Sequence, residues 1–216
     1  MDETLPQPSS ATGVQESVTA ALGLERDAEL MLRVRDGCTA SFQLLLERHR
    51  GPVIHFLYRM VQNQAVAEEL AQDVFLRVYR SRATYEPSAK FTTWLFRIAT
   101  HRALNFIRDG RHEKGHQSLN DEVGDGMARQ VEDKSSTVEQ NMLKEVRLQE
   151  VRNAIEALPA KQKAAVLMHK YQELDYSQIA GALECSESAV KSLLFRAYES
   201  LRARLAHLDA TGAKEC

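Results

Sequence analysis

The chain is poor in the residues that frame small disulfide or zinc folds. Its 216 residues hold three cysteines, Cys38, Cys185 and Cys216, scattered and without a Cys-x-x-Cys spacing. A disulfide framework or a structural zinc site is therefore not supported, and a reducing cytoplasm fits. Proline and glycine are scarce, β-branched runs are absent and no stretch alternates cleanly for long, so a sheet is not expected. No apolar run approaches membrane-spanning length, which argues against membrane insertion. The acidic, Pro- and Ser-bearing N-terminus has no charged-then-apolar signal pattern. Net charge is −2, so a nucleic-acid role must rest on local basic faces. Ser/His/Asp constellations, nucleophile elbows, phosphate-binding glycine loops and metal-ligand sets are missing too. An enzyme is not indicated, and neither a cofactor nor a metal is expected. His112 and His116 are four apart, but nearby glycines argue against a helix and no third ligand is evident.

What is abundant is Leu, Ala, Glu and Arg, which favours an all-α fold. Residues 1–24 hold few large apolar residues and read as a disordered tail. A short helix is expected over residues 25–36, its stripe made by Leu30, Met31 and Val34 and its end by Asp36-Gly37. Thr39 opens a longer helix to Met60, with a kink or break predicted near Gly51 by Pro52. After a turn at residues 62–64, a helix over 65–82 buries Val66, Leu70, Val74 and Val78. It leaves Glu68, Glu69, Gln72 and Asp73 outside, followed by Arg77, Arg80 and Arg82. This order of charge suits the helix dipole and equally a partner surface.

Tyr85 to Lys90 is a loop, because Pro87 disfavours helix in the residue before it. The helix that follows, over 91–108, has an expected buried stripe of Leu95, Ile98, Ala99, Ala103 and Phe106. Its other face carries Trp94, Arg97, His101, Asn105 and Arg108. Rings that stack on bases beside cations that hold phosphates suit single-stranded nucleic acid. The plainer account is a Trp half-buried in the core with solvated Arg around it.

Residues from Gly110 to about 137 lose the helical pattern, and their length places a domain boundary there. This gives a first domain over 25–111, an acidic linker over 112–137 that holds the two halves apart, and a second domain over 138–208 with a tail to 216. In the second domain, a helix to Leu158 repeats Met142, Val146, Val151 and Ile155. Pro159 opens the next, which packs Val166 and Leu167 inward. Residues 174–201 then read as a helix-turn-helix. Ile179, Ala180 and Leu183 face Val190, Leu194, Ala197 and Leu201, with Ser186 as N-cap of the second helix. Its outer face carries Ser188, Lys191, Ser192, Phe195 and Arg196, groups suited to base edges, phosphates and a thymine methyl in a major groove. A plain helical hairpin would show the same apolar spacing. Glu184 holds the turn position where positive φ makes Gly usual, at a cost of about 1 kcal/mol.

These motifs, in this order, resemble an extracytoplasmic-function (group four) RNA polymerase sigma factor over about residues 27–205. Glu68-Glu-Leu-Ala-Gln-Asp-Val-Phe-Leu-Arg-Val-Tyr79 is similar to the region-two segment that holds core polymerase. Phe91-Thr-Thr-Trp-Leu-Phe-Arg-Ile-Ala99 is similar to the promoter-melting segment. Ala157-Leu-Pro-Ala-Lys-Gln162, Tyr176-Ser-Gln-Ile-Ala180 and Val190-Lys-Ser192 are similar to region four. The resemblance implies a non-enzymatic initiation factor. Glu68, Glu69, Gln72 and Asp73 would meet the β′ coiled coil of core RNA polymerase, and the β flap would be a second contact. Tyr85, Lys90, Trp94, Arg97, His101, Asn105 and Arg108 would open the minus-ten element of promoter DNA and hold a flipped base. Ser188, Lys191, Ser192, Phe195 and Arg196 would read the minus-thirty-five element. An anti-sigma factor is implied as a further partner. Departures from the family pattern are His101 for Asn, Leu193 for Arg and Glu184 for Gly. A free-standing helix-turn-helix regulator is the alternative, and it predicts tight duplex binding without polymerase. Cys38 and Cys185 hint at redox control, although free buried cysteines are the commoner explanation.

Overall fold

A computed structural model describes the backbone of residues 27–114 and 138–212, with side chains for 27–110 and 144–208. The expectations for residues 1–24, for most of the linker, for the tail beyond 212 and for the side chains of Met142, His112 and His116 lie outside the described residues. Within them every regular element is helical: α1 (27–35), α2 (Thr39–Val61), α3 (Gln64–Arg80), a 3-10 turn (Arg82–Thr84), α4 (Phe91–Lys114), α5 (Val138–Glu156), α6 (Ala160–Tyr171), α7 (Tyr176–Leu183) and α8 (Glu187–Gly212).

The first bundle is α1 to α4. Gly37 ends α1 at φ +97°. Leu30, Met31 and Val34 of that helix are buried, and the buried Asp27 carboxylate pairs with Arg48 and with His49 Nε2 at 2.8 Å, which ties α1 to α2. Gln62, left-handed at φ 57°, turns the chain, and Asn63 Oδ1 accepts from Val66 N at 3.1 Å to start α3. Phe56 of α2 meets Phe96 of α4 edge-on at 5.4 Å. Each such fully buried side chain contributes about 1.5–3 kcal/mol.

The second bundle is α5 to α8. Asp175 and Gln178 form a reciprocal capping box at the start of α7: Asp175 Oδ1 accepts from Gln178 N at 2.8 Å, and Gln178 Oε1 accepts from Asp175 N at 2.8 Å. Glu184 ends the helix at φ 52°, the positive φ expected of that turn. Ser186 Oγ accepts from Ala189 N at 3.2 Å to open α8. His169 Nδ1 and Tyr198 Oη lie 3.1 Å apart and join α6 to α8.

Several expectations are corrected. Pro52 does not break α2, which is helical from Thr39 to Val61; Pro52 is exposed, so its ring and missing donor face water. α4 runs through Gly110 to Lys114, because an isolated Gly costs only about 1 kcal/mol in a helix. α8 continues to Gly212, past the 208 boundary expected for the second domain. Phe106 belongs to the expected buried stripe of α4 but is 42% exposed. The largest correction concerns the two halves, which are not held apart. α7 lies on α4, and one apolar cluster runs through both bundles. Thr100 Oγ1 is 3.8 Å from Met168 Sδ, Lys163 Nζ donates to Met60 O at 3.1 Å, and Arg59 stacks 4.0 Å over the Tyr171 ring. Burial lowers the pKa of the Lys163 amine, with Glu156 opposing.

The Asp175 cap gives a pH prediction. Hydrogen bonds from the Gln178 backbone and the Ser177 side chain, together with the charge of Lys90, hold its carboxyl below the ordinary 3.8. Its charge therefore stabilises the fold fully above that value, and the contribution is lost as pH falls through the folded-state value. Asp175→Ala should cost about 1 kcal/mol in urea unfolding near neutral pH. The stability gap between the native chain and Asp175→Asn should shrink between about pH 5 and about pH 3.

Candidate nucleic-acid interface

Two helices, α4 and α8, each bury one stripe and show another. On α8, Val190, Leu194 and Ala197 are buried, while Ser188, Lys191, Ser192, Phe195 and Arg196 are all exposed. Phe195 is 68% exposed, an uncommon position for an aromatic ring with no ring partner among the described residues. The hydroxyls are locally held: Ser192 Oγ donates to Ser188 O at 3.0 Å, and Ser188 Oγ lies 2.9 Å from Ser186 Oγ. Both retain lone pairs toward solvent. The arrangement offers two cations, two hydroxyls and a ring on a helix that projects from its bundle.

On α4 the picture is mixed. Arg97 and Arg108 are exposed, and His101 and Asn105 are partly so. Trp94 is half-buried, its ring 5.0 Å from Tyr85 and 5.9 Å from Phe91. Trp94 is thus half-buried, with one side packed on the core and the other open. Tyr85 is buried, with its hydroxyl lacking a hydrogen-bond partner. Burial, and secondarily the Asp27 carboxylate, raises its pKa. Lys90 is exposed at the end of the loop. Arg108 pairs with its neighbour Asp109 at 3.1 Å. Arg97 pairs with Glu184 of the helix-turn-helix, and His101 Nε2 lies 3.4 Å from the other oxygen of the same carboxylate.

The acidic face of α3 is open at Glu68, Glu69 and Gln72. Asp73 is partly covered, because its Oδ2 pairs with Arg77 at 3.1 Å and with Arg102. Sequence reasoning missed Leu76, which is 52% exposed one turn after Gln72. Its signal was present: an apolar residue that falls off the buried stripe and on the Gln72 face. Among the described residues no group of three or more His, Cys, Asp or Glu could hold a metal ion, and no helix is long and apolar enough to cross a membrane.

Residues 45–113 match the family Sigma-70 region 2, and residues 148–201 match Sigma-70, region 4. The RNA polymerase sigma factor CarQ of Myxococcus xanthus is 33% identical over 184 residues, covering 85% of this chain and all of CarQ. The chain belongs to the extracytoplasmic-function sigma factors. The ECF RNA polymerase sigma-E factor of Escherichia coli strain K12 is 30% identical, covering 81% of this chain and 92% of that one. Among solved structures, CnrH in complex with the cytosolic domain of CnrY superposes with a TM-score of 0.61 at 17% identity, covering 84% of this chain and 98% of CnrH. The sigma factor RpoE of Bartonella quintana, in complex with the anti-sigma factor NepR, gives 0.61 at 20% identity, covering 76% and 96%. Both superpositions speak for the fold. The first bundle is thus region two and the second region four. This sigma factor is a non-enzymatic initiation factor that binds RNA polymerase and recognises promoters through the two regions. The free-standing regulator gives way to it.

Trp94 serves packing as well as surface, so its substitutions should separate. Trp94→Ala should cost about 2 kcal/mol in urea unfolding, and Trp94→Phe less than about 1 kcal/mol. A defect in promoter opening that persists in Trp94→Phe would then belong to the surface role.

Proposed function

We propose that the three surfaces divide the work of initiation. Glu68, Glu69, Gln72 and Asp73, with Leu76 as an apolar member, dock on the β′ coiled coil of core polymerase, and region four contacts the β flap. Lys90, Trp94, Arg97, His101, Asn105 and Arg108 engage the minus-ten element as it opens, while the buried Tyr85 packs behind Trp94 and does not meet DNA itself. Ser188, Lys191, Ser192, Phe195 and Arg196 read the minus-thirty-five element in the major groove. The observation that carries this reading is the two-sidedness of α8: its apolar stripe is buried while its opposite face presents Lys191, Phe195 and Arg196 to solvent. Cations there contact phosphates, and an exposed ring can meet a thymine methyl.

The factor works in the cytoplasm, where core polymerase and promoters are. An anti-sigma protein is a further partner; the CnrH and RpoE structures are complexes of that kind, with CnrY and NepR. Free duplex should bind weakly, since the chain carries a net charge of −2.

The test is transcription by core enzyme on a genomic fragment library, with 5′ ends sequenced. The native chain should give discrete start sites that share two upstream elements. Phe195→Ala should leave thermal unfolding within about 0.5 kcal/mol, because the ring is exposed. It should still lower transcript yield about tenfold, the loss expected for one base contact. Gln72→Ala should weaken the complex with core enzyme without altering which promoters are chosen. Full activity of a combined Lys191→Ala and Phe195→Ala chain would contradict the assignment of α8.

A further inference from the structure

The first helix reaches the minus-ten face through a buried relay. Asp27, at the start of α1, is 3% exposed, and a carboxylate at that depth is costly unless paired. It pairs with the partly exposed Arg48 and, at 2.8 Å, with Nε2 of the buried His49. An ionised carboxylate only accepts hydrogen bonds, so His49 Nε2 carries the hydrogen and donates it. That bond fixes which way the imidazole faces. The His49 ring lies 5.3 Å from the ring of Phe91, the fully buried first residue of α4. Phe91 in turn lies 5.9 Å from Trp94 and 6.3 Å from Tyr85, and Tyr85 lies 5.0 Å from Trp94. One run of rings thus leads from α2 to the half-open indole.

The local backbone aims that indole only weakly. Trp94 sits in the first turn of α4, where backbone donors are least restrained, and its N–H reaches Lys90 O at a long 3.4 Å. Tyr85 Oη is buried without a hydrogen-bond partner among the described residues, so packing holds that ring. Ring contacts of this kind are attractive but broad in geometry. The bond from His49 to Asp27 adds direction at the far end of the run. We propose that Asp27 and His49 are positioning residues for promoter opening: their hydrogen bond sets Phe91, and through it the indole of Trp94 on which an unpaired base stacks. This rests on the reading of Trp94 as part of the minus-ten face. Both residues are buried, so both act through the ring and not on DNA. A base gains most from a ring already held in its bound orientation.

Trp94 is the sole tryptophan of the chain, so fluorescence of the full-length factor reads the relay directly. Asp27→Ala removes the acceptor. Asp27→Asn keeps one, because a carboxamide oxygen also accepts from His49. His49→Gln keeps a donor but removes the ring. Acrylamide quenching of Trp94 should rise about twofold in Asp27→Ala and His49→Gln, as the half-buried ring loosens, and stay near native in Asp27→Asn. Far-ultraviolet circular dichroism checks folding; if Asp27→Ala does not fold, His49→Gln against Asp27→Asn carries the comparison. With core enzyme, on the most active promoter from the genomic library, permanganate reactivity of unpaired thymines follows opening. Opening should slow about three- to tenfold in Asp27→Ala and His49→Gln, the factor expected from losing one aromatic pair. Adding His49→Gln to Trp94→Ala should slow it no further, because the relay then has nothing to aim. Unchanged quenching in both variants would overturn the relay. An equal further slowing in the Trp94→Ala background would overturn it too, since the two residues would then act on stability alone. Raised quenching with slow opening only in Trp94→Ala would overturn the proposal but keep the minus-ten reading. Native opening in Trp94→Ala would overturn that reading and the proposal with it.

Discussion

α7 rests on α4 along an apolar seam, close enough at Gly181 that a Cβ there would stand 3.2 Å from Thr93 Cγ2. The rest of the arrangement depends on that seam. Once the two helices touch, Thr100 comes against Met168, Lys163 reaches the carbonyl of Met60, and Arg59 covers Tyr171. Glu184 is then carried to Arg97 and His101. The interface is mainly apolar, so it is non-directional and strong in sum. The charged contacts at its edge are weak individually but decide which functional groups are covered.

The contrast between α4 and α8 follows from the same contact. Both are two-sided helices with a polar outer face. α8 turns that face to solvent, so Lys191, Phe195 and Arg196 are available as they stand. α4 turns part of its face to region four, so Arg97 and His101 are engaged. The polar face of α8 is therefore open, while that of α4 is partly covered.

Much of this was legible in the sequence wherever the information is local. Helical spacing locates the apolar stripes, Asp36-Gly37 marks the end of α1, and the position of Glu184 between two helical stripes calls for the positive φ it has. The outer face of α8 was legible because its buried stripe is strict. Phe106 was misassigned because an apolar residue at helical spacing looks buried whether or not anything covers it; here nothing in the described residues does so fully. Packing between regions left no local trace. Arg97 and Glu184 are 87 residues apart, and Thr100 and Met168 are 68 apart. Their pairing depends on two bundles meeting, which periodicity along one helix cannot report. Glu184 was noticed as a departure from the usual Gly, but its partner could be found only in three dimensions.

The central claim is that the two regions pack on each other across α4 and α7. The most direct measurement is the distance between spin labels at exposed positions, Gln43 in α2 and Arg202 in α8, in the chain whose native cysteines are changed to Ser. The account predicts one narrow, short distribution for the free factor. A broad distribution, or one centred at long distance, would contradict it.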